Sequence, residues 1–266
     1  MKKCTILILT TILFSQIGIS SETTNTTGKN LVFSITNFKN TVGAAELNWI
    51  SEAIGDSITV DLAKLNVVRV VNRNDLKKIL REQQLSNSAL ADADSAIKIG
   101  KLVSAKAIIT GDFISTGNEI RINAKVLDSV RGEVVSAFSV SSDKTKLFNM
   151  CRQIIIQLLK GIRIDLDSDQ LQQLGDSNVP STNIQAIETN YNGVIQSDNG
   201  NKQEAIKLFK KAMEYCAERG KKAVAVSAGE RDVYQSAMGG SYNQSGGSFG
   251  GGKFAAGNAS LIFKCQ

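Results

Sequence analysis

Histidine does most acid–base and metal chemistry near neutral pH, and this chain of 266 residues contains none. Its absence excludes His-based triads, imidazole metal sites and imidazole proton shuttles. Two other constellations have the spacing of known chemistry. Asp165, Asp167 and Asp169 are placed like the opening ligands of an EF-hand loop, with Asp176 at the twelfth position. Gln170 stands at the sixth position, where the loop's sharp turn needs glycine, and Asp176 replaces the usual bidentate Glu. Helix capping and solvation therefore account for these carboxylates better than calcium does. Gly247 to Lys253 spells the G-x4-G-K of a phosphate-binding loop, but Phe254 replaces the Mg²⁺-binding hydroxyl. In so glycine-rich a tract the match is expected by chance. No paired acids and no nucleophile with a base occur, so no catalytic, cofactor or metal residue is assigned and no enzyme is expected.

The cysteines depend on the compartment. Lys2 and Lys3, the apolar run Ile6 to Leu13 continued by Phe14, and Gly18-Ile19-Ser20 have the order of a secretory signal, so residues 1–20 are expected to be removed on export. The apolar run is too short to span a bilayer, which takes ~20 residues, and no later run approaches that length. Cys4 precedes the apolar core, so no lipid-modified N-terminal cysteine is offered. Of the remaining three, Cys151 lies on the apolar face of a helical stretch with Leu147, Ile154, Ile155 and Leu158 and reads as a buried free thiol. Cys216 and Cys265 can pair in an oxidising compartment, but three cysteines leave one over and the sequence does not choose. The net charge of +6 falls to +4 without Lys2 and Lys3, and both signs are interspersed. No basic run or aromatic-basic module accompanies the charge, so no nucleic-acid partner is expected.

These residues must be positioned by a layered core centred on Val67 to Phe113. Val67, Val68, Val70 and Val71 suit a strand covered on both faces, and Asn74 stands where a helix N-cap belongs. Leu76, Ile79, Leu80 and Gln83 follow at helical spacing; Asp92 or Asp94 can cap a second helix holding Ile97, Ile99 and Leu102. Ala107 to Phe113 is the next strand. Before this, Leu31 to Phe38 makes the first strand. A long helix is expected from Thr41 or Gly43, with Leu47, Ile50, Ile54, Ile58, Leu62 and Leu65 as its stripe. After a turn at Ser115-Thr116-Gly117-Asn118, Ile120, Ile122, Ala124 and Val126 alternate with polar residues, and a reversal around Gly132 leads into Val134 to Val140. Lys144 to Ile162 closes the unit as a helix. The fold class is α/β, with a mixed sheet ending in an antiparallel meander.

The order of these segments carries a resemblance. Residues 70 to 80, Glu82 to Ser86, Ile97 to Leu102, Ile109-Thr110-Gly111, Val126-Leu127-Asp128 and Gly132-Glu133-Val134 are similar to the CsgG family, from about Leu31 to Leu159. The resemblance implies an exported, non-catalytic protein at the periplasm or outer-membrane periphery, acting through envelope protein partners in surface assembly or secretion, and open to homo-oligomerisation. An activator docking on a peptidoglycan synthase is the alternative on the same fold. Secretion members build a barrel from two hairpins inserted in this unit. Here six residues separate Phe113 from Ile120 and four separate Ser142 from Leu147, too few for strands of ~9 to 11 residues, so no pore is expected.

Five segments result: a signal peptide, 1–20; the α/β unit, 28–162; a polar linker, 163–183, holding Pro180; a helical hairpin, 184–219; and a glycine-rich tail, 220–266. Tyr191, Gly193, Gly200, Ala205, Phe209 and Ala212 resemble one tetratricopeptide repeat, the alternative being an incidental hairpin; either is expected to dock on the first unit or on another copy. Candidate partner contacts are Trp49, at the edge of the long helix's stripe where rim packing is the competing reading, and Phe209, Phe249, Phe254 and Phe263. The terminal Leu261-Ile262-Phe263 is expected to be adhesive, as a strand on a sheet edge.

Overall fold

The structure is a computed structural model, described over residues 31–71, 76, 77, 79, 82, 93–176, 183–217, 223–225 and 263–265. Strands β1 (Val32–Ile35), β2 (Lys39–Asn40), β3 (Arg69–Val70), β4 (Ala107–Thr116), β5 (Glu119–Asp128) and β6 (Val134–Asp143) form one mixed sheet in the order β3-β1-β4-β5-β6, with β2 pairing beside β4. β1 lies parallel to β3 and to β4, while β4, β5 and β6 run antiparallel. The helices are α1 (Asn48–Leu65), α2 (Ala93–Leu102), α3 (Leu147–Gly161), α4 (Ser168–Asp176), α5 (Ile184–Asp198) and α6 (Lys202–Ala217).

Chain direction decides which helix covers which face. The β1-α1-β3 crossover steps outward and the β3-α2-β4 crossover steps back past β1, so right-handed connections place α1 and α2 on opposite faces. On the α1 face, Ile109, Phe113, Ile120, Ile122, Ala124 and Val126 join Ile50, Ile54, Ile58 and Leu62 in one core. On the α2 face, Ile108 and Leu127 pair beneath Gly100, where an added Cβ would lie 2.6 Å from the Ile108 Cδ1.

α1 is buried almost all round. Beyond its apolar stripe it buries Glu52, Asp56, Ser57, Thr59 and Asp61, because α3, which lies on β5 and β6, also packs against it, and α4 and α5 do so as well. The buried charges are met. The Lys77 ammonium lies 3.2 Å from Glu52 and 2.6 Å from Asp198, tying the end of α5 to α1, and the Asn37 amide donates to Glu52 at 2.6 Å. Asp61 sits 3.4 Å from Lys64 and 3.9 Å from the Arg152 Nε. Burial nonetheless pushes the Asp61 carboxyl above its ordinary range, against the pull of these cations.

Several expectations from sequence are corrected. β3 is a two-residue edge strand with Arg69 exposed and Val67 and Val70 half-buried, so the Val67 to Val71 run is not covered on both faces. α1 begins at Asn48, after a 3₁₀ turn at Ala45–Leu47, rather than at Thr41 or Gly43. Residues 39 and 40 are used by the sheet, Thr41 donates twice to the Phe113 carbonyl, and the Asn40 amide holds the Ala44 carbonyl. β4 continues to Thr116, leaving a two-residue turn at Gly117 and Asn118, while a turn at Lys144–Lys146 joins β6 to α3; neither junction holds an inserted hairpin. The Asn74 cap lies outside the described residues.

Residues 163–183, expected as a linker, contain α4, whose Leu174 is buried in the main core. The α5–α6 hairpin is docked on α1, and its Ile187, Tyr191, Val194, Ala205 and Phe209 belong to that same core. The hairpin closes tightly because Gly193 has no side chain: a Cβ there would lie 2.5 Å from the Phe209 Cε1. β7 (Ala223–Ala225) and β8 (Phe263–Cys265) pair antiparallel as a separate two-stranded sheet, so the terminal strand does not dock on an edge of the main sheet.

Candidate contact surface

Two of the aromatic side chains proposed for partner contact are core residues. Trp49 is 2% exposed and Phe209 is 0% exposed, so neither presents surface. Trp49 lies off the apolar stripe by one residue, yet α1 is enclosed on so many sides that its stripe has no exposed rim; Phe209 is trapped over Gly193. Phe249 and Phe254 lie outside the described residues, and Phe263 is placed by its backbone in β8. Of the five, the side chains of Trp49 and Phe209 are described, and both lie in the one core.

Among the described residues the accessible surface lies on the part of the α2 face beyond α2 and along the β6 edge. The period-two alternation of β5 sends Ile120, Ile122, Ala124 and Val126 into the core and leaves Glu119, Arg121, Asn123 and Lys125 outside. Asn123 organises this outer face. Its amide donates to Asp112 at 2.7 Å, and its carbonyl accepts from the Ser139 hydroxyl at 2.8 Å and from the Arg121 Nε at 3.3 Å, linking three strands. Ile114 is exposed beside this network.

β6 forms the outer edge of the sheet over ten residues, VVSAFSVSSD, uncharged until its last. Natural edge strands of this length are usually blunted with Lys, Pro or a cover. Among the described helices α3 is the one packed closely on β6, from the core side. Which backbone groups face outward follows from one hydrogen bond: the Lys144 N–H donates to the Asn118 carbonyl. Antiparallel pairs alternate between bonded and non-bonded, so with Asn123 opposite Ser139 the N–H and C=O groups of Ala137, Ser139 and Ser141 point away from β5. Near its start the strand is bulged between Val126 and Leu127 of its partner, which frees Val135.

An acid held well ionised stands at the far end of the strand, and another, the last residue of β5, beside its start. At the far end the hydroxyl and then the N–H of Thr145 keep the Asp143 carboxyl below its ordinary range. At the near end the backbone N–H groups of Arg131 and Val130 do the same for Asp128, which also pairs with the Arg131 guanidinium at 3.2 Å. Beside that end lies a depression of about 310 Å³, floored by Ala107, Val126, Val135 and Ile162 and rimmed by Lys106 and Arg163.

The uncharged alternation of β6 was visible in the sequence, but its edge position was not, since an edge is defined by what fails to pair. Lys106 and Arg163 carried no signal, because they are 57 residues apart and meet only through the ends of β4 and α3. Among the described residues no three His, Cys, Asp or Glu side chains cluster as a metal site, and no helix is long and apolar enough to cross a membrane. This surface can pair backbone with backbone and hold polar or charged groups; it offers no group poised to make or break a bond.

No curated protein sequence matches the chain. Among solved structures it is similar to the LpoB C-terminal domain from Salmonella enterica, at 16% identity and a TM-score of 0.34, covering 44% of this chain and 85% of that one. It is similar also to a PelC dodecamer from Paraburkholderia phytofirmans, at 13% identity and a TM-score of 0.32, covering 50% of this chain and 87% of that one. Residues 8–146, just over half of the chain, match the family model of the curli production assembly/transport component CsgG, and the chain belongs to the CsgG family.

Proposed function

We propose that this CsgG-family chain is a non-catalytic protein of the cell envelope, exported and acting through protein contacts in surface assembly or secretion. The observation that carries the reading is the β6 edge: ten residues of sheet, uncharged until the last, with outward backbone groups beside an uncovered polar face. Such an edge invites strand addition by a partner. The α1-centred core supports that edge, and the α5–α6 hairpin packs on α1 as part of the same core. The test is a photo-crosslinking amino acid placed at Ser141, followed by crosslinking in an envelope fraction. Adducts with surface-assembly or secretion proteins are expected at Ser141, and none when the probe replaces Leu159 in the core. Recovery of a peptidoglycan synthase alone would move the protein to the activator role. N-terminal sequencing checks export: cleavage near Ser20 is expected, and a native chain beginning at Met1 would remove the envelope placement.

A further inference from the structure

The start of β6 combines features that a plain edge strand does not need. Among the described residues Lys106 and Arg163 make no ion pair or side-chain hydrogen bond, while the one acid of the depression, Asp128, is engaged by its own turn. Arg163 has φ 62°. Its N–H donates to the Lys160 carbonyl and the following Ile164 N–H to the Leu159 carbonyl, which is the helix-closing position that favours glycine. A guanidinium is thus kept at a backbone cost that glycine would avoid. The helix C-terminus explains a cation there; it explains neither the apolar floor beside it nor Lys106, which belongs to the strand side.

Strand direction joins the two features. The meander β4-β5-β6 is antiparallel throughout, and a strand continuing it beside β6 would run opposite to β6 and end where β6 begins, at the depression. We propose that β6 receives the C-terminal strand of a partner protein, its last side chain apolar and seated over Val126 and Val135, its terminal carboxylate held by Arg163 and Lys106. The outward groups of Ala137, Ser139 and Ser141 supply the ladder, and two unengaged cations supply the charge complement that a free carboxylate fits. This rests on reading the β6 edge as a protein-contact surface and adds to it the polarity and chemistry of the partner's end.

The probes are four fluorescein-labelled octapeptides of alternating threonine and valine, ending in valine, leucine, isoleucine or phenylalanine. Each is made as free acid, as C-terminal amide and with alternate N-methyl groups, and titrated with the full chain by fluorescence polarisation. At least one free acid is expected to bind about tenfold or more tighter than its amide. Arg163→Gln with Lys106→Gln should abolish that difference, and N-methylation should remove binding to the unaltered protein. Equal binding of acid and amide would overturn the carboxylate site and leave the edge as a contact surface for internal strands. Binding of laurate at the depression with none of the peptides would overturn it in favour of an amphiphilic anion. No binding of any peptide, or binding indifferent to N-methylation, would also overturn it, and the crosslinking at Ser141 would then decide separately whether β6 meets proteins at all.

Discussion

The two faces of the sheet are built from the same strands and do opposite work. On the α1 face Ile120, Ile122, Ala124 and Val126 of β5 join the core, α3 packs on β5 and β6 beside α1, and α4 and α5 pack against α1 in turn. On the other face α2 packs on β4 and β5, and toward β6 the sheet ends, among the described residues, in Arg121, Asn123, Ser139 and an edge with no further strand beside it. Stability is therefore concentrated on one side of the strands and available surface on the other, so the two should separate under substitution. A core change should cost folding, and a change on the open side should cost folding little while altering what the protein can hold.

The largest test of that separation is at Ile54 and Ile58, both fully buried between the sheet and the outer helices. Truncation of either to alanine should cost ~2–5 kcal/mol by urea denaturation, the range for large-to-small changes in a well-packed core. Losses below about 1 kcal/mol at both would mean that α1 is not the centre of the structure. Next comes Gly193, on the outer layer. A methyl there must displace the Phe209 ring, which is buried and has no room to yield, so Gly193→Ala should cost ~1–3 kcal/mol by overpacking. Combining it with Phe209→Leu should recover part of the loss. Recovery would place the cost in that contact and not in helix propensity, which favours alanine.

Cys151 gives a chemical reading of the same side. Burial, opposed by a hydrogen bond with Ser57, pushes its thiol from 9.0 up to about 12. In the folded protein Cys151 should resist thiol-specific reagents at pH 8, read by peptide mapping of the labelled chain, and react once the chain is unfolded. The sign of its pH effect is fixed: between 9 and 12 the folded form keeps a proton that the unfolded chain releases, so this group's stabilisation is full below pH 9 and is lost as pH rises through that window. Comparison with Cys151→Ala removes the other groups that titrate there. A wild-type stability curve no steeper than the variant's above pH 9 would show the thiol to be open to water.

The covered side was the legible one. Ile50, Ile54, Ile58 and Leu62 announce a helix on a sheet by spacing alone, and Ile120 to Val126 announce a half-wet strand, because both patterns record a single boundary between core and water. Trp49 and Phe209, offered as contact surface beside a packing reading, and Leu174, inside the expected linker, are buried for one shared reason. Each is buried by a second layer of helices brought from more than a hundred residues away or from another turn of the hairpin, and periodicity says nothing about a second layer. Val67 to Val71 failed differently. β-branched content marks a strand, but whether it is central or at an edge depends on the crossover order, which placed β1 and not β3 in the interior. The candidate surface was hardest to read, since Lys106 and Arg163 are joined only by the register of β4 and the length of α3.

The smallest expected effect is also the sharpest division between edge and ladder, and it lies within two adjacent residues. Pairing places the Phe138 N–H in the ladder with Ala124 and the Ser139 N–H outward, so proline removes a structural hydrogen bond at one position and a free donor at the other. Ser139→Pro should change the stability of the isolated protein by under about 0.5 kcal/mol, since its side chain gives up only an exposed hydrogen bond to Asn123. Phe138→Pro should cost clearly more, losing the ladder bond and a partly buried ring. The same Ser139→Pro should remove strand addition to β6, because proline has no N–H to offer and its ring crowds an approaching backbone. Thermal denaturation of the two variants, read beside the peptide titration, gives a two-by-two outcome. Equal stability losses at 138 and 139 would show that β6 is not paired in this register, and a Ser139→Pro protein that still bound strands would show that the partner reaches the open face without using the edge.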